Sequence, residues 1–462
     1  MTISRASSAA ELYLPLDRQG PSPLYQQLEH AVREAVRDGR LPADAPLPST
    51  RALASQLGVT RGVVVSAYEQ LTAEGYLVTR PGGSTRVARV PSAPASRPAQ
   101  LRRAFGTDFR PGRPDVTEFP RAEWLRSLRR VMAHAPAERL NYLDGGGMPE
   151  LREALATYLN RVRGTFASAD SIVITTGVAQ GMHLVAEALR AGGARRIGLE
   201  EPFHPEYRQL LEDDGLAVTA IPVDEDGLRV DLLDAAGVDA VAVTPAHQYP
   251  TGAVLSPERR AALISWADRH DGVVIEDDYD AEFRYDRVPV GAMQGLCADR
   301  VVYAGTASKT LAPGLRLGWL AVPPRLRDPI ARAKLNADKG SSAIDQLALA
   351  DFIERGELDR HLRRMRVLYR HRRDALLDAL NRHLPEWTPI GASAGLHVLA
   401  WLPHGCDEAR VVAAAAERDI GLYGVAVSCH LPDARAGLIF GYGSIDEARI
   451  EPGIAVLAAA LR

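Results

Sequence analysis

The spacing of apolar residues divides the chain into segments of different character. Leu24, Leu28, Val32 and Val36 recur at every fourth position, one face of a helix that ends near Asp38-Gly39. After Pro48, Ser49 is placed to cap a short helix that stops at Gly58. Thr60 is placed to cap a second helix, roughly residues 61–74, that stops at Gly75. Two helices joined by a tight turn holding a Gly fit the helix-turn-helix pattern. Residues 76–79 and 85–88 flank Arg80-Pro-Gly-Gly-Ser, a hairpin signal and a candidate wing that carries Gly82 and Gly83.

From about Asp170 the period changes. The runs SIVIT at 171, RIGLE at 196, AVTAIPV at 217, DAVAVT at 239, GVVIED at 272, RVVYAG at 300 and GWLAVP at 318 alternate with helical stretches. Continuous apolar strands between helices predict an α/β sheet buried on both faces. The last third is richer in helix, most clearly over residues 358–384. A smaller C-terminal lobe is expected from about residue 325. Residues 89–105 contain three Pro and no periodic apolar pattern at their start, and read as a linker. The expected domains are therefore 1–88 (core about 20–88) and 106–462, with 89–105 between them.

Composition narrows the class. The 462 residues are 46% apolar and 24% charged, as in a soluble globular protein of two or three domains. Three unevenly spaced Cys (Cys297, Cys406 and Cys429) argue against a disulfide framework. No stretch approaches the ~18 apolar residues of a membrane helix, and the N-terminus lacks an apolar signal core. A cytoplasmic protein without a membrane partner is the expectation. The net charge of −3 is unevenly spread: residues 1–90 carry +2, residues 91–105 carry +3 and the rest −8. A mildly basic front and an acidic bulk suggest two bodies with different tasks.

Of 55 basic residues only three are Lys: Lys309, Lys334 and Lys339. Lys309 has a distinctive setting, GTASKTLAPGLRLGW, between two predicted strands. The segment gathers one amine, the hydroxyls of Thr306 and Ser308, and the guanidinium of Arg316 at a strand end. Hydroxyls and Arg suit a phosphate, and a partly buried Lys can form a Schiff base. In ITTGVAQ, Gly177 lies where a strand turns into a helix, so the amides of Val178 and Ala179 are placed to hold phosphate. A strand ending in the acids Asp277, Asp278 and Asp280 can keep a cofactor nitrogen protonated.

T-x-S-K-x-x-x-P-G-L-R-x-G-W resembles the pyridoxal-phosphate lysine motif of fold-type-I aminotransferases. TPAHQYPTG at 244 and EDDYDAEFRY at 276 resemble further segments of that family in the same order. The front segment, LPSTRALASQLGVTRGVVVSAYEQLTAEGYL, resembles the winged helix-turn-helix of GntR regulators. The combination resembles the MocR/GabR subfamily, over roughly residues 20–88 and 105–450.

The resemblance implies a fold-type-I body, with a large mostly parallel sheet and a smaller lobe, behind a winged helix-turn-helix domain. It implies pyridoxal 5'-phosphate on Lys309 as an internal aldimine. Asp277 would sit on the pyridine nitrogen, with Asp278 and Asp280 as rivals, and Tyr279 on the phenolic oxygen. Tyr249 falls in the family's P-T-G loop. His204 falls where the family stacks an aromatic ring, with Phe203 and Tyr207 as rivals. Arg51, Thr60, Arg61, Gly82 and Gly83 would face double-stranded operator DNA, probed in a head-to-tail homodimer. Tyr68 and Leu71 read as core.

Two departures stand out. Gly62-Val63 replaces hydroxyl residues common after the recognition-helix Arg. Ile439 stands where an Arg often holds an α-carboxylate, leaving Arg208 and Arg435 as candidate effector contacts. The expected effector is therefore pyridoxal phosphate itself or an amine without that carboxylate. The alternative is an aminotransferase-type enzyme with an accessory N-terminal domain. No metal site is expected.

Overall fold

The computed structural model describes residues 16–79, 84–89, 104–142, 144–285, 290–431 and 435–461. The chain divides into two compact units, Met1–Arg102 and Arg103–Arg462.

The first unit has helices α1 (Leu24–Arg37), α2 (Thr50–Leu57) and α3 (Arg61–Ala73), then an antiparallel hairpin of β1 (Leu77–Thr79) and β2 (Thr85–Val87). The fourfold spacing in α1 carries Leu28, Val32 and Val36 into a core with Leu53, Val64, Ala67, Tyr68 and Leu71. The Ser49 hydroxyl accepts the Ala52 amide at 3.2 Å, and Gly58 ends α2 at a φ of 62°, where a Cβ is disfavoured. Thr60 differs from expectation. It occupies the N-cap of α3, but its side chain makes no capping hydrogen bond. The Val63 amide that such a cap would take bonds the Thr60 carbonyl instead, at 3.1 Å. Gly82 and Gly83 lie outside the described residues.

The second unit begins with a short strand β3 (Thr107–Asp108). Its large sheet is built from β4 (Ile172–Thr175), β5 (Arg196–Glu201), β6 (Ala217–Asp224), β7 (Gly227–Leu228), β8 (Ala240–Val243), β9 (Val273–Asp277), β10 (Val301–Thr306) and β11 (Gly318–Ala321). The strand order is β4-β11-β10-β9-β8-β5-β6-β7. The four pairings from β10 through β9, β8 and β5 to β6 are parallel, and those of β11 and β7 with their neighbours are antiparallel. Successive residues serve different faces. Val302 and Ala304 pack with the helix Val178–Ala191, while Tyr303 points into the other core. Both faces being covered explains the uninterrupted apolar runs.

The helix Pro324–Asp338, at the point expected to open the smaller lobe, packs Leu326, Ile330 and Ala333 with that same helix and sheet face. The smaller sheet uses β12 (Thr388–Ile390), β13 (His397–Trp401), β15 (Tyr423–Gly424) and β16 (Gly437–Gly441), in the order β12-β13-β16-β15. Between its strands, β14 (Ile420–Gly421) pairs in parallel with β3.

Candidate functional site

Strand direction places the chemistry. In the parallel core of the sheet, β8, β9 and β10 end together, so Thr244, Asp277 and Thr306 share one edge. β11 reverses and β4 reverses again, which returns Thr175 and the following Gly177 to that edge. Ligands of open α/β sheets bind at such carboxyl ends. A cleft of about 120 Å³ opens there, lined by Pro111, Gly112, Phe203, His204, Tyr207, Thr244, Tyr249, Asp277, Tyr279, Lys309 and His397.

Lys309 lies on a one-turn helix, Ala307–Thr310, directly after β10. Its Nζ donates to the Gly112 carbonyl at 2.6 Å. Burial lowers its pKa from the ordinary lysine value, and the carboxylates of Asp280, Asp277 and Glu206 oppose that shift. The three rival aspartates have different partners. Asp278 accepts from the Arg163 Nε at 2.7 Å and from the Tyr303 hydroxyl at 2.8 Å. Asp280 pairs with His247 at 3.1 Å. Asp277 lines the cleft, and its Oδ1 is buried with no hydrogen-bond partner. Burial pushes its carboxyl up to about 8, Asp278 adds to the rise and Lys309 opposes it. An orphaned acid facing a cleft fits a cationic ring nitrogen.

Beside the lysine lies a cradle for an anion. Gly177 caps the helix Val178–Ala191 at a φ of 115°, and no side chain caps that end. The Val178 and Ala179 amides lie in the first turn, where backbone N–H groups favour an anion. A Cβ on Gly177 would lie 3.1 Å from an Arg316 guanidinium nitrogen, so Arg316 covers this helix start. Thr306 caps the lysine helix, accepting from the Ser308 amide at 3.1 Å and meeting the Ser308 hydroxyl at 3.0 Å. Backbone amides, two hydroxyls and a guanidinium fit a phosphate, and Asp277 and Lys309 fit the ring and aldehyde of pyridoxal phosphate.

Aromatic rings form the remaining walls. The His204 ring lies 5.0 Å from Tyr207 and 5.5 Å from Tyr249, so the position expected to stack belongs to a cluster of rings. Burial lowers the His204 pKa, and its Nδ1 has no partner. Tyr249 packs on Tyr279 at 6.3 Å, and burial pushes its hydroxyl up to about 12. The Tyr279 hydroxyl donates to the His247 carbonyl at 3.2 Å.

The effector candidates fall outside the cleft lining. Arg208 pairs with Glu212 at 3.4 Å. Arg435 lies over the Trp401 ring at 5.2 Å. Ile439 is buried with Leu399 and Val425, with Tyr249 packed against them. His397 and Thr244 are cleft residues that sequence reasoning missed. Thr244 sits in a segment already singled out, whereas His397 comes from the distant strand β13 and no local motif marks it. In the first unit, Arg51, Thr60 and Arg61 are all exposed, and the Arg61 Nε donates to the Thr50 hydroxyl at 3.4 Å. Arg61 opens α3, where a recognition helix presents its first residues to DNA.

These two units define a DNA-binding regulator of the GntR class joined to an aminotransferase-like body. Residues 24–87 match the gntR family of bacterial regulatory proteins, and residues 113–428 match aminotransferase class I and II. The chain belongs to the MocR/GabR subfamily of GntR-type transcriptional regulators. It is 35% identical to the HTH-type transcriptional regulator YhdI of Bacillus subtilis, over 96% of this chain and 97% of that protein. It is 33% identical to the probable rhizopine catabolism regulatory protein MocR of Rhizobium meliloti, over 97% and 95% of the two chains. The pyridoxine biosynthesis regulator PdxR of Corynebacterium glutamicum is also 33% identical, over 95% and 96%. Among solved structures, the kynurenine aminotransferase of Pyrococcus horikoshii, in complex with PMP, is 27% identical with a TM-score of 0.71, covering 77% of this chain and 90% of its own. GntR-type regulators bind DNA operators, and class I and II aminotransferases depend on pyridoxal phosphate. Among the described residues, no helix is long and apolar enough to cross a membrane.

Proposed function

We propose that the first unit binds double-stranded operator DNA and that the second holds pyridoxal phosphate at Lys309. DNA affinity then depends on whether the site holds the cofactor alone or an amine that has reacted with it. The observation that carries this reading is the buried, unpartnered Asp277 Oδ1 in the same cleft as Lys309. When bound, pyridoxal phosphate supplies an aldehyde that captures amines and a ring that accepts electrons.

The protein's own residues do the rest. Asp277 holds a proton at the ring nitrogen. The amides after Gly177, the hydroxyls of Thr306 and Ser308, and Arg316 anchor the phosphate. Tyr279 would offer its hydroxyl to the ring oxygen, while His204, Tyr207 and Tyr249 would exclude water from the ring. An effector shifts the DNA-binding state only if it binds one arrangement of the chain more tightly than the other.

A second copy of the chain is the expected partner. Leu125 and Met132, seven positions apart on the helix Arg121–His134, are 45% and 60% exposed, apolar side chains that a homodimer would cover. Following visible absorbance while pyridoxal phosphate is added tests the cofactor assignment. A new band is expected in the wild type and none in Lys309→Ala; an identical band in both overturns it.

The effector class follows from the walls. No arginine lines the cleft among the described residues, and an apolar cluster surrounds Ile439. A planar carboxylate lacks its bidentate partner there. Calorimetry of the loaded protein with common α-amino acids should show no submillimolar binding, whereas such binding would return the site to ordinary amino acids.

A further inference from the structure

Behind Tyr279 lies a charge pair that the cofactor assignment does not use. His247 and Asp280 have side chains 1% and 2% exposed. The His247 Nδ1 is 3.2 and 3.1 Å from the two Asp280 oxygens and 3.1 Å from the Tyr279 hydroxyl. Its Nε2 faces the Gly391 carbonyl at 3.2 Å. A carboxylate and a carbonyl only accept, so both ring nitrogens donate, and an imidazole that donates from both is a cation. Asp280 raises the His247 pKa against the opposing effect of burial, while Arg284 lowers it.

The surroundings fix this pair. Gly395 has a φ of 80°, and a Cβ there would collide with both His247 and Asp280. The neighbouring His397 donates its Nε2 to the Pro250 carbonyl at 3.2 Å, and burial pushes its pKa down to about 3, so it adds no charge. The ligand atoms of His247, Asp280 and His397 lie within 4.8 Å of one another. A metal there would need a His247 lone pair, which the two acceptors leave protonated.

The pair matters because of what Asp280 faces. The carboxylates acting on Lys309 are Asp280, Asp277 and Glu206, with Asp280 the strongest. His204 and His397, the imidazoles lining the cleft with that amine, have lowered pKa values and are neutral, and burial raises the pKa values of Tyr207, Tyr249 and Tyr279, which stay neutral too. We propose that His247 and Asp280 are positioning residues for the Lys309 amine: Asp280 supplies a field that favours the ammonium form, and His247, paired with Asp280 at 3.1 Å, opposes it. The amine is thereby kept available as a nucleophile, while the same His247 fixes the Tyr279 hydroxyl.

This rests on the reading of Lys309 as the reactive amine, yet its test needs no cofactor. Only three lysines occur in the chain, and Lys339 is exposed and serves as an internal reference. Cofactor-free protein is labelled with trace acetic anhydride across a pH series, and each lysine is read by peptide mass spectrometry. His247→Gln leaves Asp280 uncancelled and is expected to raise the apparent Lys309 pKa by about one unit, so labelling near pH 8 falls about tenfold. Asp280→Asn removes the carboxylate and is expected to shift it the opposite way. A general loosening of the site would move both variants alike, so shifts of the same sign, or none, overturn the proposal.

If either variant does not fold, nitrogen-15 histidine NMR on the wild type decides. His247 protonated on both nitrogens at pH 7 is expected, and a neutral His247 overturns the proposal. Labelling shifts of opposite sign in a protein that fails to bind pyridoxal phosphate would uphold the pair and reject the cofactor assignment alone.

Discussion

Asp277, Asp278 and Asp280 lie within four positions and meet three different fates. Asp278 is neutralised by Arg163 and Asp280 by His247, whereas Asp277 lines the cleft with its buried Oδ1 unpartnered. Asp277 is therefore the costly one before a ligand binds. Its carboxyl is held at about 8 in the folded chain, against ~3.9 when unfolded. Between those values the folded state binds the extra proton, so this group makes stability fall as pH rises from about 4 to 8. Each unit in that window is worth up to about 1.4 kcal/mol. Cofactor-free Asp277→Asn should melt above the wild type at pH 8, with the gap closing towards pH 4, and should bind pyridoxal phosphate at least tenfold more weakly. Thermal scans at several pH values check this, and a pH-independent gap would count against it. The sequence assigned the role to Asp277 but kept Asp278 and Asp280 as rivals. Which one lacks a partner depends on Arg163 and His247, residues 114 and 30 positions away from Asp277, and no local pattern encodes those contacts. His397 was hidden for the same reason.

At the scale of elements, strand ends and helix starts do the positioning. The lysine turn, the acid at the end of β9 and the Gly177 helix start were legible because each is a short motif on a strong apolar strand. The missing Thr60 side-chain cap was not legible, since the choice between side chain and carbonyl is made by local backbone geometry. Gly177→Val joins a strained φ to a tight contact with the Arg316 guanidinium. It should weaken pyridoxal phosphate binding at least tenfold in an absorbance titration, while operator binding by the cofactor-free protein stays unchanged. In the first unit, α3 separates its two roles by face. Leu71 is fully buried, and Leu71→Ala should cost about 2–5 kcal/mol of that unit's stability. Arg61 is exposed, and Arg61→Ala should leave the melting temperature alone while reducing operator affinity and its salt slope by about one phosphate contact. Equal melting losses in both variants would remove Arg61 from the DNA-facing set.

For the whole molecule, the uneven charge suggested two bodies with different tasks; the chain divides into two compact units, Met1–Arg102 and Arg103–Arg462. The fold of each was legible because its period is sustained over many residues. The coupling between them was not, because it depends on two states of one chain rather than on any single spacing. The central claim is that what occupies Lys309 governs DNA binding. Its most direct test is the affinity of the cofactor-free protein for its own upstream DNA, at fixed salt, while pyridoxal phosphate is titrated. Operator affinity is expected to change with the cofactor in the wild type and to stay constant in Lys309→Ala; an affinity indifferent to the cofactor and to amines added after it, or a response that survives in Lys309→Ala, would show that Lys309 does not govern DNA binding.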